Sequence, residues 1–355
     1  MTAYIIRRLL ILPVILFGVT LLVFAMLMVL DPRERAALYV SDVPHDPQVV
    51  QEIIEKYELD APIHIQYWRW LVGTRDSETG EIRGGILRGN LGWSHTAQMP
   101  VTQAIATRLP VSAELALWSI GPIIGLGVWS GVQSAVHHDE FFDHFSRVFA
   151  VVGWSIPTFV FALLMLLIFY SGLGWLPPER LSEWAKRVVW DTEQFTQYTN
   201  MNTIDAVLNL RPDILLDALR HLVLPVFGLS YLIFARVMRV MRSSMLETLR
   251  EDYIRTARAK GLKESVVVNR HARRNALIPI VTIGGLLFIS LLSGVVITET
   301  IYNLHGVGRL FANAALAFDV VTVLGLVLFN GVIMVVGNLV VDILYGFVDP
   351  RVRLQ

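Results

Sequence analysis

The chain is 355 residues long, 54% hydrophobic and only 17% charged, with 30 basic residues balancing 30 acidic ones and no cysteine. Soluble globular chains carry about 25% charged residues, so this composition argues for a polytopic membrane protein. The missing cysteines exclude a disulfide frame, a thiolate metal site and a cysteine nucleophile.

A helix needs about 20 apolar residues to cross a bilayer. The first such run is residues 9–30, preceded by Arg7 and Arg8, which place the N-terminus inside. It exceeds the apolar stretch of a signal peptide and no small-x-small cleavage site follows, so it is expected to remain as a span. Residues 31–110 make a long polar excursion on the outside. In it, Val49, Val50, Ile53 and Ile54 are spaced for a short amphipathic helix over residues 47–57. Tyr67, Trp68 and Trp70 follow, and suit either a headgroup-level surface or the core of a small packed cap.

The second run, residues 115–136, carries Gly121, Gly125, Gly127 and Gly131, two pairs four apart that let a neighbouring helix approach closely. In the short acidic loop 137–147, His137, His138 and His144 stand beside Asp139, Glu140 and Asp143. Their spacing matches no standard ligand pattern, so no metal is assigned. The third run, residues 148–178, contains Ser155 and Pro157, where a proline frees a carbonyl and kinks the helix. A second outside excursion, residues 174–221, carries Trp175, Trp184 and Trp190 and no catalytic pattern.

The fourth run, residues 222–235, has 14 residues before Arg236. Alone it is ambiguous with a buried soluble helix. Residues 236–274 hold eleven Lys/Arg against four Asp/Glu, and they lie inside only if this fourth run crosses. It is therefore taken as a span reaching about Arg242, with Arg236 and Arg239 snorkelling to the interface. From Ser243 the chain reads as a helix, capped by Ser243 or Ser244. Leu246, Leu249, Tyr253, Ile254 and Ala257 form its apolar stripe, and Gly261 ends it. A second helix runs from about Glu264 to Pro279. A helix–Gly–helix hairpin this basic suits either a docked soluble partner or an anionic lipid surface.

The fifth run, residues 276–298, carries Gly284, Gly285, Ser290, Ser293 and Gly294, small residues that suit helix packing or a wetted cavity. Ser155, Pro157, Ser290 and Ser293 are the candidate pathway residues. The sixth run is residues 320–341, and Arg351 and Arg353 after it also fall inside. Glu299, Asp319 and Asp342 bracket the last two runs and none is central, which argues against a proton- or sodium-driven carrier. The expected fold is an all-α membrane protein with six transmembrane helices: residues 1–30, an insertion over 31–110, and a core over 111–355. Its core crossings lie at about 112–136, 148–170, 222–242, 277–298 and 320–345.

Asp252-Tyr-Ile-Arg-Thr-Ala-Arg-Ala-Lys-Gly261, with Arg270-His-Ala-Arg-Arg-Asn-Ala-Leu-Ile-Pro279, resembles the signature loop of ABC importer permeases of bacteria and archaea. More narrowly it is similar to the first, B-type permease of the dipeptide/oligopeptide subgroup. The generic motif begins Glu-Ala-Ala, where this chain has Arg255-Thr-Ala257, and Gly261 keeps the glycine. The likeness extends through Tyr4-Ile-Ile-Arg-Arg-Leu-Leu, Gly89-Asn-Leu-Gly-Trp-Ser94, Pro100-Val101, Arg108-Leu-Pro110 and Ser155-Ile-Pro-Thr-Phe159. It continues in Gly174-Trp-Leu-Pro177, Thr298-Glu-Thr300, Gly306-Val-Gly-Arg-Leu310 and Asp349-Pro-Arg-Val-Arg353. Asn90 departs from the Asp usual in the second of these.

The resemblance implies a second homologous permease subunit, with the translocation path between the two. It also implies two ABC ATPase subunits, each taking a cytoplasmic coupling helix from the loop between helices 4 and 5 (residues 243–276), and an extracytoplasmic substrate-binding protein. The coupling residues it implies are Tyr253, Arg255, Thr256, Ala257, Lys260, Gly261 and Leu262. ATP and magnesium belong to the ATPases, with no cofactor and no nucleic acid on this chain, which has no Gly-x-x-x-x-Gly-Lys-Ser/Thr. The family's cargoes include dipeptides, longer peptides, glutathione, nickel chelates and oligosaccharides. An integral membrane enzyme would need a motif such as His-Glu-x-x-His or Gly-x-Ser-x-Gly, and neither occurs. A standalone carrier would need internal symmetry or charged span centres, and neither is evident.

Overall fold

The computed structural model describes residues 2–36, 47–56, 58–75, 82–191 and 195–348. Tyr57 and the terminal motif from Asp349 to Arg353 lie outside them. The described chain is helical apart from two short hairpins, β1 (Thr74–Arg75) with β2 (Ile82–Arg83), and β3 (Trp93–Ser94) with β4 (Met99–Pro100). These pairs are a small departure from the all-α expectation.

Among the described residues, four helical stretches are long and apolar enough to cross a membrane: Leu9–Leu27, Val101–Val136, Pro212–Thr248 and Val320–Ile343. Two bent pairs raise the number to six if each pair is one span. The first run forms α1 (Thr2–Leu27). Short helices α2 (Pro32–Ala36), α3 (Pro47–Lys56) and α4 (Ile63–Val72) follow. Helix α3 lies on the amphipathic stretch: Ile53 and Ile54 are buried with Ala36 and Leu59. Tyr67 and Trp70 pack edge-on or tilted against Phe24 of α1, at ring separations of 5.2 and 5.6 Å, while Trp68 is exposed. The excursion therefore has a packed aromatic cap seated on the end of α1.

Helix α5 (Val101–Val136) begins ten residues before the expected boundary at 110 and carries Pro110 and Pro122 inside it. Its first turns continue a buried stripe of Val101, Ala104, Ile105, Val111, Ser112 and Leu115. That stripe packs α5 on its neighbours before the long apolar run starts. The two glycine pairs behave differently. A Cβ on Gly127 would lie 2.6 Å from Val237, and one on Gly131 would lie 2.6 Å from Met241. Gly121 and Gly125 have nothing within 4 Å. The 127/131 pair is thus the close-packing seam, and it presses α5 against α10 (Pro212–Thr248), which runs alongside it.

The third run is broken rather than kinked. α6 (Phe141–Ser155) ends where Ile156 and Pro157 are extended, and α7 (Thr158–Met165), with a π-helical turn over Leu166–Gly172, leaves at 96°. A proline forces the residue before it out of helical geometry. The second excursion holds α8 (Glu183–Asp191) and α9 (Asn202–Leu208). It is shorter than expected, because α10 starts at Pro212 and not near residue 222. Ser243 and Ser244 are not N-caps: α10 continues unbroken through them to Thr248, whose hydroxyl donates to Ser244 O at 2.7 Å. No proline or glycine lies between Ser230 and Lys260 to stop it.

After α10 come α11 (Asp252–Ala259), α12 (Glu264–Val266), a π-helical stretch Val267–Ala272, α13 (Arg273–Ala276) and α14 (Ile278–Leu292). The bend of 50° into α14 falls at Leu277–Pro279. α15 (Val296–Ile301) and α16 (Val307–Leu316) form a folded-back pair ahead of α17 (Val320–Val348). α17 is pinned by glycines: a Cβ on Gly325 would lie 2.7 Å from Val101, and one on Gly331 would lie 2.7 Å from Val19.

The segment from Gly89 to Ser94 finds its purpose at the start of α17. Asn90 Oδ1 accepts the Gly92 N–H at 2.9 Å, the turn an aspartate would also make, so the departure at Asn90 keeps the geometry. Asp319 then ties this hairpin to α17. Its Oδ2 accepts from Thr96 N at 2.8 Å and Thr322 Oγ1 at 2.6 Å, and its Oδ1 from Thr322 N at 3.1 Å. Burial pushes the Asp319 carboxyl up, but bonds from Thr322 and Thr96 outweigh it and hold the group below its ordinary value. Asp319→Ala is expected to cost about 2–3 kcal/mol, by loss of a helix cap and orphaning of buried donors. Thermal unfolding in detergent measures it; an unchanged midpoint would remove the hairpin tie.

Candidate functional site

The signature hairpin is built by α11 and the helical stretch from Glu264. Helix α11 starts after the extended Glu251 and ends in a left-handed glycine, Gly261, with φ +76°. Leu262 N–H donates to Ala257 O at 3.4 Å and Gly261 N–H to Arg258 O at 2.9 Å. This is the two-bond Schellman ending, and it needs positive φ at the glycine. Arg258 clips the turn by a two-pronged ion pair to Glu264, at 2.6 and 3.1 Å.

One face of α11 anchors it. Ile254 and Ala257 are buried with Val267, Val268, Ala272 and Met245. Tyr253 accepts a hydrogen bond from Asn275 Nδ2 at 2.7 Å, so the two halves of the signature, 22 residues apart, touch directly. The other face is open. Arg255, Thr256, Lys260, Gly261 and Leu262 are exposed, and Tyr253 sits at its edge. Of the seven coupling residues that the family resemblance implies, Ala257 is therefore the one that points into the chain's own core. Beside α11 lies a groove of about 590 Å³ lined by Arg242, Leu246, Glu247, Arg250, Glu251 and Asp252. A rigid, charged, short helix with an apolar tip at Leu262 beside a mixed-charge groove can present a shape to another protein.

A second fixture steadies this end. Asp143, at the start of α6, is fully buried and receives both prongs of Arg242 at 2.7 Å. That pair joins α6 to α10 just above the hairpin. His138, Asp139 and Asp143 have ligand atoms within 4.8 Å of one another. Both Asp143 oxygens already accept from Arg242, however, so a metal there would have to displace a guanidinium.

Ser155, Pro157 and Ser293 sit where helices break, and Ser290 lies inside the last turn of α14. Ser155 closes α6 with its hydroxyl on Val151 O at 2.8 Å, and Pro157 opens α7. Ser290 is exposed on α14, and Ser293, bonded to Ile289 O at 3.1 Å, ends it.

The opposite end of the bundle holds several buried carboxylates, of which Glu299 and Glu114 tie the most distant segments together. Glu299 is fully buried: Oε1 accepts from Ser112 Oγ at 2.8 Å and Val295 N at 3.1 Å, and Oε2 from Arg309 N at 2.8 Å. Ser112 Oγ in turn accepts from Val307 N at 2.9 Å. Glu114 accepts from Thr203 N at 2.7 Å, Thr203 Oγ1 at 2.8 Å and Arg180 at 2.9 Å. Sequence reasoning missed Glu114 because its partners lie 66 and 89 residues away. The available signal was a carboxylate placed directly before an uncharged run. Glu179 receives Lys186 and, at 2.9 Å, Asn303. Lys186 is the main cause holding the Glu179 carboxyl below its usual value.

Residues 123–354 match the family described as binding-protein-dependent transport system inner membrane component, and residues 1–116 match its N-terminal counterpart. The chain is 36% identical to the di/tripeptide transport system permease protein of Pseudomonas aeruginosa, over 100% of both chains. It is 34% identical to the oligopeptide transport system permease protein of Bacillus subtilis, over 99% of this chain and 100% of the relative. It is also 34% identical to a probable D,D-dipeptide transport system permease protein of Escherichia coli, over 91% of this chain and 89% of that one.

Proposed function

Because the chain belongs to the family of binding-protein-dependent transport system inner membrane components, we propose that it is one of two permease subunits through which an ATP-driven importer moves peptides. It is a multi-pass membrane protein and not an enzyme. The single observation that carries the mechanism is the hairpin: α11 is anchored by Ile254 and Ala257, clipped by Arg258–Glu264, and open on its Arg255–Lys260 face.

In this reading both bent pairs are single crossings, giving six, with both termini and α11 in the cytoplasm. An ATPase subunit receives α11 in a surface groove, and a second ATPase serves the partner permease. Closure of the ATPase dimer then moves α11 as a rigid body, and α10 with the bent stretch into α14 carries that movement to the spans. The Asp143–Arg242 pair makes α6 follow α10. ATP and magnesium stay on the ATPases. A binding protein delivers cargo at the far end, where the helix breaks at Ser155–Pro157 and Ser290–Ser293 supply polar groups to the path.

A reporter cysteine in place of Lys263 tests the arrangement. In intact cells an impermeant maleimide is expected to leave it unlabelled, and to label it once the membrane is opened. Purification of this chain is expected to bring down a second permease and an ATPase. Labelling of Lys263→Cys from outside would overturn the topology and the docking role together.

A further inference from the structure

At the end of the bundle opposite the hairpin, two arginines, Arg108 and Arg309, have no carboxylate on their guanidinium groups among the described residues. Arg108 lies on the packing stripe of α5, between Ile105 and Val111, where an apolar residue would serve. It is half-buried and, among the described residues, makes no hydrogen bond and no ion pair; Ser112, one turn further along α5, shares the Glu299 carboxylate with the backbone N–H of Arg309, which brings the two arginines together. Arg309, on α16, donates through its guanidinium to the neutral amide oxygen of Asn303 and to no carboxylate. Nearby, Arg180 is paired with Glu114 and Lys186 with Glu179 and Glu183, while Arg220 donates to the carbonyls of Trp175 and Gly174. His305, exposed between them, is pushed below its ordinary value first by desolvation, then by Arg309 and Arg108. Glu179 acts on it in the opposite sense.

Two guanidinium groups held in repulsion at a half-buried site cost folding energy. Packing does not explain the arrangement, because an apolar side chain at 108 would continue the stripe. What offsets the cost is an anion, and guanidinium forks fit the two oxygens of a carboxylate. We propose that Arg108 and Arg309 form a receiving pair for the terminal carboxylate of the peptide cargo as it enters the permease. This deepens the peptide-import reading and rests on it for the identity of the ligand. Every peptide with a free C-terminus presents that group, so the pair would hold cargo of many side chains without reading any of them.

The test uses the complete complex in proteoliposomes, with glycyl-leucine and glycyl-leucinamide as probes. Arginine-directed dicarbonyl labelling of Arg108 is followed by mass spectrometry, alongside import. Glycyl-leucine is expected to slow labelling of Arg108 and the amide to leave it unchanged, with the protection lost in Arg309→Gln. Arg108→Gln is expected to lower glycyl-leucine import about tenfold, the loss of one charged hydrogen bond, while Arg108→Lys retains part of it and ATP turnover persists in both. Import without protection of Arg108, or equal protection by the amide, overturns the pair. Protection by the binding protein without peptide also overturns it, by assigning the carboxylate to a protein side chain. Protection without import would leave the pair standing and overturn the import reading instead.

Discussion

Glu299→Ala is expected to collapse the junction between α5, α15 and α16. The carboxylate is fully buried and satisfies the Ser112 hydroxyl and the backbone N–H groups of Val295 and Arg309. Removing it leaves those buried donors without their acceptor, at about 1–3 kcal/mol for each. Gly306→Ala attacks the same point by volume. Its Cβ would lie 2.5 Å from both Glu299 Oε2 and Ser112 Oγ, closer than real atoms come, and neither oxygen can retreat without breaking its bonds. Both variants should lose most folded protein, read as the detergent-stable fraction after mild heating. Glu299→Gln keeps the shape but turns an amide N–H₂ towards donors, so it should fall between. Wild-type stability in Glu299→Ala would show that the carboxylate carries no structural load.

Gly261→Val is expected to leave the protein in the membrane and abolish coupled import. A Cβ at Gly261 meets nothing within 4 Å, so the chain itself raises no steric objection. The cost is conformational: at φ +76° a β-branched residue is strained by roughly 1–2 kcal/mol or more. That strain reopens the Schellman turn and releases the Arg258–Glu264 clip, so α11 would no longer project as one rigid piece. Import should fall more than about tenfold, as 1.4 kcal/mol corresponds to a factor of ten, with ATP hydrolysis by the complex persisting. Gly261→Asn, which tolerates the left-handed region, should retain most import. Normal import by the valine variant, at normal abundance, would end the case for a rigid hairpin.

Several parts of this molecule could be read from residues in order. The apolar runs located the long helices, because crossing length is a property of one stretch of chain. The Gly261 cap and the stripe of Ile254 and Ala257 were legible because capping and helical periodicity are local rules. The start of α11 was misplaced at Ser243 for a related reason. A good capping residue permits a helix to start but does not stop one already running, and α10 ran on to Thr248. The break at Ile156–Pro157 was visible as a proline, but its size was not, since a 96° turn depends on what α7 packs against.

The buried polar fixtures belong to a different class. Glu114 meets Thr203, Asp143 meets Arg242, Ser112 meets Glu299, and Asp319 meets Thr96, each across 89 or more residues. Nothing in either partner's neighbourhood names the other, because desolvation rewards any acceptor that fills the hole and the chain's path decides which one does. Only packing could divide the glycines of α5 into a seam at Gly127 and Gly131 and an open face at Gly121 and Gly125. The sequence alone settled which stretches are apolar, which stretch is basic, and where a helix must end. The tertiary structure settled which charges are neutralised, and left Arg108 and Arg309 among the described cations with no carboxylate on their guanidinium groups, because pairing is a matter of distance in space and not along the chain.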